Sequence, residues 1–139
     1  VLEDCMREHL NETAPRRGAG LANAPAILAE LVDKSRHYQP GQMAHVVNLS
    51  LLPHTPEDLD WLAEALGEGA VTILSRGYGN CRVTACAQPH VWKVQFYNSM
   101  DTLILDTYEV CDMPEVALAA AEDLADSAIR IRDVIGAMQ

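Results

Sequence analysis

The stretch Val71-Thr-Ile-Leu-Ser-Arg76, Gly77-Tyr78-Gly79-Asn80, Cys81-Arg-Val-Thr-Ala-Cys86 decides the fold. Two short apolar runs flank a glycine-rich turn. Beyond Pro89 come Val91-Trp-Lys-Val-Gln-Phe-Tyr97, a turn at Asn98-Ser-Met-Asp101, and Thr102-Leu-Ile-Leu-Asp-Thr-Tyr108. Four apolar runs broken by turn residues predict a β-meander. In the third run Trp92, Val94 and Phe96 alternate with Lys93, Gln95 and Tyr97. That alternation predicts one buried face and one wet face, with the latter three lining a surface a partner could occupy.

Working outward, His45-Val-Val-Asn-Leu-Ser50 reads as a fifth strand, extendable through Leu51 and Leu52 to Pro53. Ile27, Leu28, Leu31, Val32 and Ser35 recur at helical spacing and predict a helix over 26–37, just after Pro25. Thr55-Pro56-Glu57-Asp58 is a helix start: a capping hydroxyl, a proline at the first position and two acids at the positive end. That helix spans 56–66, turns Leu59, Leu62, Ala63 and Leu66 inward, and closes at Gly67. Asp112 and Glu115 repeat the capping logic ahead of a helix over 113–135. Its stripe of Ala117, Ala121, Leu124, Ala128, Ile131 and Ile135 is expected to cover one face of the sheet.

At the start of the chain, Leu2, Cys5, Met6, His9 and Leu10 form one helical stripe, with His9 as a packed histidine. Residues 13–25 are a Gly- and Pro-rich loop carrying the solvated pair Arg16 and Arg17. The expected organisation is an N-terminal helix and linker over 1–24 and a single α+β domain over 25–139. Its mostly antiparallel sheet has about five strands, with helices packed mainly on one face.

The chain has 139 residues, 49% of them hydrophobic, which suits one globular domain. No apolar run reaches the roughly 18 residues a membrane helix requires. Val1-Leu-Glu-Asp-Cys5 carries two acids and no basic region, so no secretory signal is expected there. The formal net charge is −10. No Lys or Arg lies between Arg36 and Arg76, or between Lys93 and Arg130. Nucleic acid and anionic lipid are poor partners for such a surface, and a basic protein face is a better one. The four cysteines, Cys5, Cys81, Cys86 and Cys111, form no Cys-x-x-Cys pair and read as reduced cytosolic thiols.

Against this acidic background Arg76 and Arg82 bracket the glycine turn. The glycines permit positive φ and could expose amides as a small anion nest. A phosphate loop would lead into a helix, and here a strand follows, which excludes nucleotide binding of that kind. A plain hairpin turn explains the glycines alone. It does not explain the arginines, so Arg76, Tyr78, Asn80 and Arg82 are the expected partner-binding residues, Tyr and Arg being common contact anchors.

Cys81, Cys86 and His90, with Cys111 as a fourth, suggest a metal site only at first sight. Positions 81 and 86 differ by an odd number, so one strand points them to opposite faces, and no zinc spacing is present. No catalytic residue, metal or cofactor is expected. A thiol enzyme using Cys81 with His45, His54 or His90, or a metal or iron–sulfur carrier acting through Cys81, stands as the alternative.

The decapeptide Ile73-Leu-Ser-Arg-Gly-Tyr-Gly-Asn-Cys-Arg82 resembles the C-terminal conserved domain of the HupH/HyaF hydrogenase expression proteins. Val47-Asn-Leu-Ser-Leu-Leu-Pro53 with Thr55-Pro56 is similar to the family's upstream block. The stretches 94–105 and 109–116 are similar to its downstream blocks, so the likeness spans about residues 44 to 132. The resemblance implies a cytoplasmic, non-enzymatic chaperone in maturation of a membrane-bound uptake [NiFe]-hydrogenase. Its implied partners are the iron–sulfur small subunit precursor, which carries a twin-arginine signal, and a thioredoxin-fold accessory protein. It also implies that these 139 residues are the C-terminal portion of a longer chain.

Overall fold

The computed structural model describes residues 21–77 and 79–139. The helix expected over 1–12, with Cys5 and His9, the Arg16–Arg17 pair, and Tyr78 lie outside the described residues. The elements run α1 (Ala24–His37), β1 (His45–Asn48), a 3-10 turn (Leu49–Leu51), α2 (Pro56–Leu66), β2 (Thr72–Gly77), β3 (Gly79–Ala85), β4 (Val91–Tyr97), β5 (Leu103–Val110), a second 3-10 turn (Glu115–Ala117) and α3 (Ala121–Ala137). The five strands form one antiparallel sheet in the order β1-β5-β4-β3-β2. The α+β class and the meander are as the sequence predicts. The first strand is shorter than expected. Asn48 turns the chain by accepting the Ser50 amide on its side chain at 2.9 Å, which begins the 3-10 turn.

Strand register sorts the side chains onto two faces. Ile73, Cys81, Val83, Trp92, Val94 and Phe96 share one of them, and their cluster includes Cys111 and Met113. Val83 and Val94 are fully buried there. On the other face Val47, Val91, Tyr108 and Val110 meet α1 and α2 through Ile27, Leu28, Leu31, Trp61, Leu62 and Leu66. This second cluster is the larger one.

The helix α2 starts as its sequence dictates. The Thr55 hydroxyl accepts the Asp58 amide and the Asp58 carboxylate accepts the Thr55 amide, with Pro56 in the first turn. Gly67 ends it at φ +68, a conformation that favours glycine, and donates its N–H to the Ala63 carbonyl at 2.9 Å. The inward stripe is rotated from the expected one. Asp58, Trp61, Leu62 and Leu66 are buried, whereas Ala63 is exposed and Leu59 half-buried. Burying Trp61 removes far more apolar area than burying Ala63, so the tryptophan sets the rotation.

Asp58 joins the two helices. Besides capping α2, its carboxylate accepts the amides of Ala22 (2.9 Å), Asn23 (3.3 Å) and Ala24 (3.1 Å) at the entrance to α1. Burial alone would raise its pKa. The amides of Thr55, Ala22, Ala24 and Asn23 outweigh that effect and hold the carboxyl below its ordinary value.

Two expectations about the C-terminal helix are corrected. It begins at Ala121, not 113, because Asp112 does not cap it: the Asp112 carboxylate accepts the Gly41 amide at 2.8 Å and lies 3.5 Å from His90 Nδ1. Nor does it cover the sheet. No residue of α3 is buried, and Leu124, Ile131 and Ile135 are each more than half exposed. The strand-borne apolar surface is already enclosed by α1 and α2 on one face and reached by Met113 on the other.

Candidate functional site

The helices cover only part of their face. They sit over β1, β5 and the start of β4. The rest of that face, toward β2 and β3, carries Leu74, Arg76, Asn80, Arg82, Thr84, Lys93, Gln95 and Tyr97, placed together by cross-strand pairing. Arg76 stands opposite Asn80, and Arg82 opposite Leu74 on one side and Gln95 on the other. Two hollows indent this surface. One of about 340 Å³ is lined by Leu74, Arg76, Asn80, Arg82, Tyr97 and Asp101. The next, of about 320 Å³, runs from Arg82 past Thr84, Lys93 and Gln95 to Gly67 and Glu68 at the end of α2. Arg82 lines both and lies between them.

The cations here differ in their electrostatic state. Lys93 is largely covered and neutralised: its Nζ lies 3.1 Å from Asp106 and 4.3 Å from the centre of the Tyr108 ring. Arg76 and Arg82 are exposed, and among the described residues neither guanidinium lies within an ion-pair distance of a carboxylate. Two bidentate-capable cations, without a carboxylate partner among the described residues, thus share one face of a chain of net charge −10. Leu74, 57% exposed, adds an apolar contact beside them.

Of the four residues singled out in the sequence, three are brought together. Arg76 and Arg82 present their heads to solvent from adjacent strands. Asn80 does something more specific: its Nδ2 donates to Asp101 Oδ1 at 3.1 Å, tying the β2–β3 turn to the β4–β5 turn. The β4–β5 turn is itself organised by Asn98, whose Oδ1 accepts the amides of Met100 (2.9 Å) and Thr102 (3.0 Å). Gly79 has φ +111, and a Cβ there would meet the Tyr97 carbonyl at 3.1 Å. The turn therefore needs glycine for both conformation and space. Tyr78 lies outside the described residues. Leu74, Tyr97 and Asp101 join the site through register and turn contacts. Of these the sequence marks only Tyr97, by its place in the alternation of β4.

The thiols have the opposite character. Cys81, Cys86 and Cys111 are free and buried. Cys81 and Cys111 belong to the cluster on the far face and Cys86 to the one under the helices, so the odd spacing separates them as expected. Among the described residues no group of three or more His, Cys, Asp or Glu side chains could hold a metal ion. Burial raises the pKa of each thiol. Glu109 adds to the effect at Cys81, Cys86 is pushed up to about 11, and Cys111 to about 12 with Glu109 and Asp112 contributing. A nucleophilic cysteine needs a depressed pKa and access; Cys81 borders the first hollow but is only 6% exposed, and its pKa is raised.

The sequence between residues 21 and 138 matches the family model for the HupH hydrogenase expression protein, C-terminal conserved region. The chain belongs to this family. It is 67% identical over 125 residues to the hydrogenase expression/formation protein HupH of Rhodobacter capsulatus, covering 90% of this chain and 45% of that protein. It is 36% identical over 115 residues to the hydrogenase-1 operon protein HyaF of Escherichia coli, covering 83% of this chain and 40% of that one. The chain thus spans less than half the length of these curated relatives. The fold matches a solved structure, the hydrogenase expression protein HupH from Thiobacillus denitrificans, with a TM-score of 0.77 at 28% identity. That match covers 82% of this chain and 95% of the other. Among the described residues no helix is long and apolar enough to cross a membrane.

Proposed function

We propose that this chain is a non-enzymatic docking module that acts in the cytoplasm during maturation of an uptake [NiFe]-hydrogenase. Its client is the iron–sulfur small subunit precursor, which it attends alongside a thioredoxin-fold accessory protein. Membership of the HupH family and the relatives' names as hydrogenase expression/formation proteins support the pathway. One structural observation supports the mode of action: Arg76 and Arg82 are exposed on one half of the sheet face, without an ion-pair partner among the described residues. An exposed guanidinium that serves the fold would be expected to have a carboxylate within reach, and these two have none among the described residues. They suit an acid-bearing segment of a partner, with Leu74 and Tyr97 supplying apolar contact.

Capture of the small subunit precursor, with and without its twin-arginine leader, by the 139-residue chain tests the reading. Retention of the precursor, weakened by added salt and by Arg76→Ala with Arg82→Ala, is the expected result. Failure to retain either form overturns it.

A further inference from the structure

The sheet ends at β2, and the outer side of that strand is open. The bond from the Ala85 amide to the Val71 carbonyl, 2.8 Å, sets the phase of the β2–β3 ladder. In the register Ile73↔Val83 and Ser75↔Cys81, the odd-numbered residues of β2 therefore bond inward to β3. The N–H and C=O groups of Thr72, Leu74 and Arg76 point the other way, along the free side of the strand. Among the described residues no backbone group beyond β3 bonds to them. All three residues are exposed. The opposite edge is different: β1 has four residues and breaks into a 3-10 turn at Leu49. β2 has six, holds no proline or lysine, and pairs without interruption from Thr72 to Gly77. Edges are ordinarily blunted by such devices because an open one templates another strand.

The side chains of β2 define what fits beside it. Leu74 and Arg76 stand on the face that carries Arg82 and line the same hollow. Ile73 stands on the other face, half-buried against the cluster of Val83 and Val94. A strand laid on β2 sets every second side chain on the arginine face, about 5 Å from Leu74 and Arg76. The alternate ones extend over Ile73. Carboxylates suit the first set. One opposite Arg76 meets a guanidinium that has no carboxylate within ion-pair distance among the described residues, and Arg82 lies one strand further in, opposite Leu74. Apolar side chains suit the second set. We propose that β2 is a strand-addition site that takes an extended partner segment in which acidic residues alternate with apolar ones. The inference rests on the docking reading of Arg76 and Arg82 and adds how the partner's backbone lies. Main-chain bonds to Thr72, Leu74 and Arg76 supply the hold, and the two arginines select the charge.

The probe is a synthetic peptide of about nine residues, alternating Glu and Val, blocked at both ends and added at neutral pH to the 139-residue chain. Amide hydrogen exchange read residue by residue by NMR locates it. Expected at saturation is at least tenfold slower exchange at Leu74 and Arg76. Peptides N-methylated at every Glu, or at every Val, separate edge pairing from attraction to the face, since only alternate amides of an added strand point at β2. One of the two should bind at least tenfold more weakly than the other. Lys in place of Glu should abolish binding, and Arg76→Ala with Arg82→Ala should weaken the Glu peptide at least fivefold. No binding of the Glu peptide overturns the inference, and capture of the small subunit precursor still judges the docking reading separately. Binding without protection at Leu74 and Arg76, or equal binding of both N-methylated peptides, overturns strand addition and spares the docking reading. Protection of the same amides in the free chain that grows with protein concentration assigns the edge to a second copy and overturns the proposal as well.

Discussion

The two ends of the sheet share a backbone pattern and differ in almost everything else. At the β1–β5 end, α1 and α2 enclose Val47, Tyr108 and Val110, and the buried Asp58 carboxylate binds both helix entrances. At the β2–β3 end no described helix covers the same face, and Leu74, Arg76 and Arg82 are exposed, the arginines without an ion-pair partner among the described residues. Buried contacts are concentrated at one end, and the other carries exposed apolar and cationic side chains. Dynamics follow from the same division: the covered end should open only in global unfolding, while the hairpin end should open locally at lower cost.

Substitutions at the two ends should separate this division cleanly. Trp61→Ala empties a fully buried site under α2 and should cost about 3–5 kcal/mol, measured by denaturant unfolding. Asp58→Ala strands the amides at two helix entrances and should cost about 3 kcal/mol, with Asp58→Asn costing less because an acceptor remains. Leu74→Ala, the same chemistry at the bare end, should stay within about 0.5 kcal/mol. Equal losses at Trp61 and Leu74 would abolish the distinction.

Acid titration sharpens it. The Asp58 carboxyl is held below its ordinary value, so its contribution is present at neutral pH and is lost as pH falls through the lowered folded value. Glu109, on the opposite face, is raised chiefly by burial, with a further push from Glu115 against the opposing Thr107 hydrogen bond. Its contribution is greatest below its unfolded value and is lost as pH rises through the folded one. Unfolding midpoints followed from about pH 7 down to about pH 2 should therefore show a shallower acid-side fall in Asp58→Asn. An unchanged acid limb would show that Asp58 does not contribute to it.

Smaller still is the chemical contrast between the thiols and the arginine face. Cys81, Cys86 and Cys111 should resist alkylation in the native chain near pH 7.5 and react on denaturation, as mass spectrometry would show. Rapid native labelling of Cys81 would restore the thiol reading.

Much of this was legible in the residues. The strand pattern of 71–108, the cap at Thr55 and the stop at Gly67 are local, and local chemistry decided them. The arginines stood out because an acidic chain surrounded them. Four features were not legible, each for a physical reason. The link from Asp58 to Ala22 and Ala24 spans more than 30 residues and depends on how two helices meet. The rotation of α2 toward Trp61 follows from competition for buried area. The fate of α3 could not be read because an apolar stripe shows that a helix wants a partner, not which one. Asp112 likewise had the right identity for a cap and was claimed instead by Gly41.

The central claim is that Arg76 and Arg82 belong to recognition and not to folding. The measurement that tests it most directly compares the chain with its Arg76→Ala, Arg82→Ala variant for affinity to the small subunit precursor at low and high salt, alongside both thermal melts. Expected are melts that coincide within about 2 °C, an affinity at least tenfold weaker for the variant, and a shallower salt dependence. Unchanged affinity, or a melt that falls steeply with the substitution, would contradict it.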